Sequence, residues 1–410
     1  MDTGNTAFMM ICAALVFIMT PGLGFFYGGL GRRKNVVSNM MNSVSIMGLG
    51  MVLWCLIGYT MAFGGDGLII GGFSKIALAG ITKDSIAPDT TIPEFVFVAF
   101  QMMFALITPA IITGSLAGRM KFGALFAFIA LWSILVYYPL AHMVWGGGGL
   151  LGSGWLNSVD FAGGNVVHIS SGVSGLVICL LLGRRYGYEL HSYRIHNIPF
   201  VMLGMALLWL GWFGFNAGSA LAADGLAAHA FVTTAISAAT AMLVWMGLDL
   251  LNSGKPTLIG ACTGVVAGLV GITPAAGFVP VWAAFVIGAF VSPVCYGGIL
   301  LIKKKLKIDD SLDAFGCHGI GGIFGGLMTG LFADPAVNGV AGLCFGDVAQ
   351  LGRQALAIII SIAFAVVGSL ISIVIVRAFI RLRVEKKHEL MGLDISEHGE
   401  NAYPAYNGLD

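Results

Sequence analysis

Runs of roughly 20 apolar residues recur along the whole 410-residue chain, separated by short polar connections. A helix of about that length crosses the ~30 Å hydrocarbon core of a bilayer, so each run is a candidate transmembrane span. Only 10% of the residues are charged, against about 25% in an ordinary soluble domain. We therefore predict an all-α membrane protein with eleven transmembrane helices. The predicted spans cover residues 7–31, 37–63, 93–117, 122–143, 163–183, 197–219, 225–249, 256–276, 278–302, 315–333 and 352–380.

The basic residues predict which ends of these spans face the cytoplasm. With the amino terminus outside, 18 of the 21 Lys and Arg residues fall in or next to inside connections, and only Lys75, Lys83 and Arg353 do not. Cytoplasmic connections of membrane proteins carry such an excess of positive charge. We therefore expect an outside amino terminus, an inside carboxyl terminus, a transmembrane domain at 1–383 and a cytoplasmic tail at 384–410.

Other features of the sequence argue against several classes of protein. A net charge of +1 gives no reason to expect a nucleic-acid partner. The seven cysteines are scattered without a CxxC or His–Cys cluster, which favours neither a disulfide framework nor a zinc site. The first basic residue is Arg32, so we expect no cleavable signal peptide. We predict no cofactor and no metal, and membrane lipid as the surroundings.

Two histidines, His168 and His318, lie in the same local pattern within predicted spans five and ten. Each is followed by glycine at +4 and +7, and each is preceded by aspartate at −8. Because five is odd, two five-span halves would run in opposite directions across the membrane. Inverted repeats with a central site are a recurring transporter design, so we predict an inverted repeat of spans 1–5 and 6–10. The alternative is a chance match in a chain with 60 glycines.

The aspartates, Asp160 and Asp310, predict where the histidines lie along their helices. Each aspartate is placed as a helix N-cap would be, and eight residues at 1.5 Å then carry each histidine about 12 Å along its helix. The two imidazoles would meet near the midplane of the bilayer. Ionisable residues inside a membrane are functional by default, and a neutral imidazole pair suits a small polar solute. Packing is the ordinary alternative, and a haem held by two histidines is another.

Six further stretches make the chain resemble the ammonium transporter (Amt/Rh/Mep) family, on its bacterial and archaeal Amt side. They are TPGLGFFYGGL from Thr20, AHMVWGGGGLL from Ala141, DFAGGNVVHI from Asp160, GWFGFNAGSAL from Gly211, DDSLDAFGCHGIGG from Asp309 and GLDISEHGENAY from Gly392. The resemblance covers nearly the whole chain. It implies eleven helices, an inverted repeat of the first ten, and a homotrimer with one pore in each subunit.

The resemblance also implies roles for individual residues. An outer recruitment site for ammonium would consist of Trp145, Ser219 and Phe104, with Asp160 behind it. Phe104 and Phe215 would form a gate, and His168 and His318 would line the pore. Each has an ordinary alternative: Trp145 as an interfacial aromatic, the phenylalanines as core or lipid-facing residues, Ser219 and Asp160 as helix caps. Aromatic faces attract a cation, but they separate ammonium poorly from potassium.

The expected function is transport of ammonium or ammonia across the cytoplasmic membrane, and we expect no enzyme activity. Deprotonation of ammonium costs ~3–4 kcal/mol at pH 7, whereas carrying an intact ion through an apolar slot costs tens of kcal/mol. We therefore expect ammonia to pass, and the proton with it, as the resemblance suggests. Alternatives are an ammonium sensor, a passive ammonia gas channel and a haem-bearing electron carrier. The tail at 384–410 resembles tails that dock a PII-type signal protein; its alternative is a solvated segment.

Overall fold

The computed structural model describes residues 1–188 and 195–403, and helices joined by turns and irregular connections make up that part. No β-sheet forms among these residues, and two isolated bridges are the only extended pairings there. Ten of the described helices are long and apolar enough to cross a membrane. A shorter apolar helix lies between the seventh and the eighth of them. In chain order the eleven are α1 Thr3–Leu30, α2 Arg33–Phe63, α3 Glu94–Leu116, α4 Phe122–Trp145, α5 Gly164–Leu182, α6 Ile198–Gly218, α7 Gly225–Ser253, α8 Leu258–Ile272, α9 Val281–Lys305, α10 Phe315–Phe332 and α11 Val348–Phe379.

Every predicted span corresponds to one of these helices, and no predicted boundary differs from the structure by more than four residues. The eighth predicted span corresponds to a helix that is shorter than the others, because α8 has only 15 residues and so extends about 22 Å. Pro274 follows it closely and has no backbone N–H with which to extend the helical hydrogen bonds. The chain then remains buried as a turn through residues 273–277. The count of ten long helices is thus one fewer than the predicted eleven.

Contacts between connections that are distant in the chain define two faces of the molecule. We call the face that carries Asp2 the amino-terminal face; there the Asn5 side chain accepts a hydrogen bond from the backbone of Ala223. We call the opposite face the tail face. There Lys34 donates to the carbonyl oxygen of Leu390. Trp145, at the end of α4, and Ser219, just after α6, both lie at the amino-terminal face.

The repeated glycines explain how closely the two histidine helices approach. A Cβ atom added at Gly172 on α5 would collide with the backbone of Gly319 on α10. In the reciprocal place, a Cβ at Gly322 on α10 would press on the side chain of His168. The glycines at +4 therefore form the crossing of α5 and α10, because small residues let backbones approach closely.

The glycines at +7 make a second matched pair of contacts. A Cβ at Gly175 would collide with Ser115 on α3, and a Cβ at Gly325 would collide with Gly271 on α8. Helices α3 and α8 occupy the same position in the two five-helix halves. Both histidine helices thus use the same glycine positions to contact each other and equivalent neighbours.

The tail packs against the tail face as two short helices, α12 Lys386–Met391 and α13 Leu393–His398. The Asp394 carboxylate accepts hydrogen bonds from the backbone N–H groups of Val36 and Ser38, at 3.0 and 2.8 Å. Glu389 and Leu393 are buried. The tail is therefore not solvated along its whole length: Val384, Glu389 and 392–394 are buried, whereas 385–387 and 399–401 are exposed. Residues 404–410 lie outside the described residues.

Candidate functional site

Asp160 fixes the first turn of α5, although it is not the N-cap residue that we expected. The cap position is Gly163, whose φ of 125° is readily adopted only by glycine. The carboxylate of Asp160 reaches forward and accepts hydrogen bonds from the N–H groups of Gly163, Gly164 and Asn165, at 2.7 to 2.8 Å. Burial raises the pKa of the Asp160 carboxyl, and these donors oppose that rise. The carboxylate thus caps the helix from outside it.

Asp310 holds the first turn of α10 in a related way. Its Oδ2 accepts from the N–H groups of Phe315 and Gly316, and its Oδ1 accepts from Ser115 at 2.7 Å. Here the cap position is Ala314. Both histidine helices begin with a π-helical turn, at Gly164–Ile169 and Phe315–Gly319. Such turns often occur at functional sites.

The histidines lie near the start of their helices, so the expected distance of about 12 Å was wrong. His168 is four residues beyond Gly164 and His318 is three beyond Phe315, which corresponds to about 6 and 4.5 Å. Both histidines are buried although they lie so near the helix starts, because the helices begin inside the protein. All residues from 162 to 168 are buried before and through the first turn of α5.

The structure brings the two imidazoles together. Nδ1 of His168 lies 3.2 Å from Nδ1 of His318, within hydrogen-bond distance. A cavity of about 10 Å³ adjoins the pair, lined mainly by apolar side chains, and this volume suits roughly one water-sized molecule. Among the described residues, Nε2 of His168 has no hydrogen-bond partner. A haem plane has no room between rings in direct contact.

A cavity of about 170 Å³ opens at the amino-terminal face and contains three residues predicted for recruitment. Trp145, Ser219 and Phe104 line it together with residues that the sequence did not single out. The further lining residues are Phe63, Phe97, Gln101, Phe161 and Leu221. Gln101 and Phe97 share one helix face with Phe104, at spacings of three to seven residues. That spacing is the one signal that could have found them.

Ser219 is oriented to accept a hydrogen bond from a bound solute. Its hydroxyl donates to the carbonyl oxygen of Phe215 at 2.8 Å, which commits its proton and leaves a lone pair available. It is also the C-cap residue of α6, as the ordinary alternative has it, and its role in recruitment stays a prediction. The Trp145 ring is fixed by a 2.9 Å hydrogen bond from its Nε1 to the carbonyl oxygen of Asp160. Asp160 itself lies behind the cavity lining.

Two stacked phenyl rings separate this cavity from the histidines. Phe104 and Phe215 have ring centroids 4.1 Å apart and planes at 25°. Phe104 contacts Trp145 edge-on at 5.9 Å, and Phe215 lies 6.3 Å from His168. His168 also stacks on Trp212 at 5.5 Å, and Trp212 is held by a hydrogen bond to Thr273. Trp212 had no predicted role, although it lies within the quoted stretch from Gly211.

A buried ion cluster organises the chain beyond the histidines, towards the tail face. Asp309 pairs with Arg185 at 2.5 Å and with Arg119 at 3.5 Å. Burial opposes the charge on Asp309, but bonds from Arg185 and the charge of Arg119 outweigh burial and hold the pKa of this carboxyl below its ordinary value. Because Asp309 precedes Asp310, the cluster anchors the loop that starts α10. No group of three or more metal-ligating side chains occurs within 1–188 and 195–403.

The arrangement combines two chemical environments in series. The outer cavity offers aromatic faces and one hydroxyl oxygen, which together attract a small cation carrying N–H donors. Beyond the phenyl pair the path is narrow and apolar, with imidazole nitrogens as its polar groups. A charged solute is stabilised in the first environment and strongly disfavoured in the second.

Comparison with known proteins agrees with this geometry. The chain is 48% identical over 405 residues to an ammonium transporter of Bacillus subtilis, covering 98% of this chain and 99% of that protein. The crystal structure of Saccharomyces cerevisiae Mep2 superposes with a TM-score of 0.88 at 35% identity, over 95% of this chain and 90% of Mep2. A structure described as a sensor Amt protein gives 0.88 at 27% identity, over 96% and 98%. The sequence model of the Ammonium Transporter Family matches residues 7–403, and the chain, a multi-pass membrane protein, belongs to that family.

Proposed function

We propose that this protein moves ammonium across the cytoplasmic membrane by binding the ion, removing a proton and passing ammonia. The observation that carries the proposal is a pair of touching imidazoles in a cavity of about 10 Å³, beneath an aromatic cavity of about 170 Å³. Trp145, Ser219 and Phe104 recruit the ion, with Asp160 holding the site from behind. Phe104 and Phe215 act as the gate that the solute must part.

Selectivity follows from the difference between two costs. An intact monovalent ion in a dry apolar slot costs tens of kcal/mol by Born estimates. Removing a proton from an amine-like cation with a pKa of roughly 9–10 costs ~3–4 kcal/mol at pH 7. Ammonium can take the cheaper route and potassium cannot, because potassium has no proton to lose. The recruitment cavity therefore concentrates cations, and the narrow slot selects among them.

The imidazole pair provides a route for the released proton. One Nδ1 donates to the other across 3.2 Å, so each ring can present its remaining nitrogen to the pore. Ammonia bound near the free Nε2 of His168 would meet an acceptor or donor according to the tautomer. If the proton crosses by this bond, one charge moves with each ammonia, and transport is electrogenic.

The arrangement of the chain in the membrane belongs to the same proposal. The matched glycine contacts of α5 and α10 support an inverted repeat of the first and second five helices. The buried turn at 273–277 supports α8 as an eleventh, shorter span. The charge asymmetry supports an outside amino terminus and an inside tail. The family resemblance supports a homotrimer and a PII-type partner at the tail 384–410, which would be the regulatory part beside a transport domain at 1–383.

A second candidate function is ammonium sensing through the same site. The match to a solved sensor Amt protein, with a TM-score of 0.88, favours keeping this alternative. A sensor binds the ion in the outer cavity without rapid turnover. Transport and sensing therefore differ in measured flux rather than in binding.

The test is current from proteoliposomes of known lipid-to-protein ratio after steps of ammonium or potassium. We expect ammonium to give current and potassium to give none. His168→Ala and His318→Ala widen the slot and admit water, which raises the local dielectric, so we expect potassium current to appear. His229→Ala, a histidine on α7 away from the pore, is the matched control. Uptake without current would indicate a gas channel, and binding without uptake would indicate a sensor.

A further inference from the structure

The last transmembrane helix contributes one buried amide to the site. Gln354 on α11 is 1% exposed. Its Nε2 donates to the carbonyl oxygen of Val159 at 2.7 Å, and its Oε1 accepts from the N–H of Val159 at 2.8 Å. One side chain thus satisfies both backbone groups of a single residue, in the manner of a neighbouring β-strand.

Val159 immediately precedes the residue on which both parts of the site depend. The carbonyl oxygen of Asp160 holds the Trp145 ring, and its carboxylate holds the first turn of α5, which carries His168. The position of the Val159 backbone therefore sets the position of Asp160. A displacement of a few tenths of an ångström there would move the aromatic wall and the histidine turn together.

Gln354 also contacts the helix of the other histidine. Its Nε2 lies 3.4 Å from the carbonyl oxygen of Gly326 on α10. Its side chain passes so close to Gly330 that a Cβ there would press on it. Helix α11 lies outside the two matched five-helix halves, yet this one residue reaches both of them.

We propose that Gln354 is a positioning residue for ammonium transport, which fixes the Asp160 segment and through it both Trp145 and His168. The inference rests on the proposed function for the meaning of the site. A primary amide carries a donor and an acceptor side by side, as the N–H and C=O of Val159 require. Without it two buried backbone groups lose their partners, and such groups are costly to leave unpaired.

The amide can be replaced by a group whose hydrogen bonding depends on pH. Gln354→Glu has the same shape, but its ionised carboxylate has no donor for the Val159 carbonyl. The protonated acid regains one donor and one acceptor. Burial raises the pKa of this carboxyl and the Val159 N–H opposes that rise, so we expect protonation between about pH 5.5 and pH 7.5. The other titratable groups nearby are Asp160, next to Val159 in the chain, and Arg353 and Asp347, which pair with each other at 3.0 Å.

The experiment measures the half-saturation concentration of ammonium current at pH 7.5 and pH 5.5, as a ratio of variant to wild type at each pH. For Gln354→Glu we expect about a tenfold rise at pH 7.5, which corresponds to about 1.4 kcal/mol, and return towards wild type at pH 5.5. Gln354→Leu lacks both polar groups and should stay raised at both values. Gln350→Glu is the matched control, because Gln350 lies one turn earlier, is also 1% exposed, and bonds to Arg353 and at 3.5 Å to Gln354 but not to Val159.

The possible results separate this inference from the proposed function. Wild type without ammonium flux would overturn the proposed function itself. Normal wild-type flux with Gln354→Glu equal to Gln350→Glu at pH 7.5 would overturn the positioning role alone. Equal defects of the Glu and Leu variants at pH 5.5 would also overturn it. The positioning role requires the Glu variant to recover when its carboxyl is protonated, whereas a general packing defect does not depend on protonation. Gln354→Asn, an amide one methylene too short, should resemble Leu even if the Glu variant fails to fold.

Discussion

Replacing Trp145 by leucine tests whether the outer cavity recruits a cation. Trp145 contributes an aromatic wall to the cavity of about 170 Å³, and its ring is fixed by Asp160 and by the edge of Phe104. Leucine keeps apolar bulk and removes the aromatic face. The change leaves both histidines and the phenyl pair in place, so the narrow slot should still select against potassium.

The size of the effect follows from how enclosed the cavity is. A cation over a tryptophan face gains ~0.5–1 kcal/mol at an exposed site and ~2 kcal/mol or more when desolvated. The cavity is walled by four phenyl rings in addition to Trp145 but opens at the amino-terminal face, so ~2 kcal/mol is the upper end of the expected loss. A loss of ~2 kcal/mol corresponds to about a thirtyfold weaker apparent affinity. The maximal current should fall much less, because the slot is unchanged.

The assay is a concentration series of ammonium-triggered current, fitted for half-saturation and for maximal current. Trp145→Phe keeps a smaller aromatic face without the indole N–H, so it should fall between wild type and the leucine variant. Trp155→Leu is the control, because Trp155 is 60% exposed and does not line the cavity. An unchanged half-saturation in Trp145→Leu, or phenylalanine and leucine variants that behave alike, would refute cation recruitment by this ring.

Three further predictions concern the rest of the molecule. Asp309→Asn breaks a buried ion cluster and should destabilise the purified protein by about 3–5 kcal/mol in thermal unfolding at pH 7. The pKa of Asp309 is lowered in the folded protein. The extra stability of the wild type is therefore present above the ordinary carboxyl pKa and is lost as pH falls through the lowered pKa. Single cysteines at Asp2→Cys and Glu400→Cys, in a cysteine-free background, should label from opposite sides of sealed vesicles, and labelling from one side contradicts an odd number of spans. Deleting 384–410 should weaken capture of a PII-type protein in a pull-down while potassium remains excluded, and unchanged capture would remove the docking proposal.

The helices were predictable from the sequence because their boundaries depend on hydropathy. The transition from apolar to polar residues marks each membrane end, and that local signal placed even the long α11 within four residues. The pairing of His168 with His318 was also predictable in outline. Two matched motifs in odd and even spans enter from opposite faces, and this topology requires no knowledge of side-chain packing.

The finer structure of the site depends on contacts between residues that are distant in sequence. For these contacts the predictions were wrong, or no prediction was made. Asp160 was predicted to be the N-cap residue of its helix. The cap is instead Gly163, three residues later, and the helix begins there with a π-helical turn. Nothing local indicates that Gln354 meets Val159, 195 residues away. Neither the docking prediction nor its solvated alternative indicated that Asp394 caps the start of α2 from more than 350 positions along the chain. Such pairs arise from tertiary packing, which one sequence does not display.

The glycine content and the proposed selectivity are two consequences of one packing arrangement. A slot that excludes hydrated ions must be narrow, and its width is set by how closely α5 and α10 cross. At the crossing, Gly172 and Gly322 leave no space for a side chain. The same closeness brings the imidazoles to 3.2 Å, the distance at which a proton can be shared. A wider crossing would lose the dry slot and the shared proton together, so the glycines at +4 serve the chemistry of the histidines as directly as the aspartates that hold their helices.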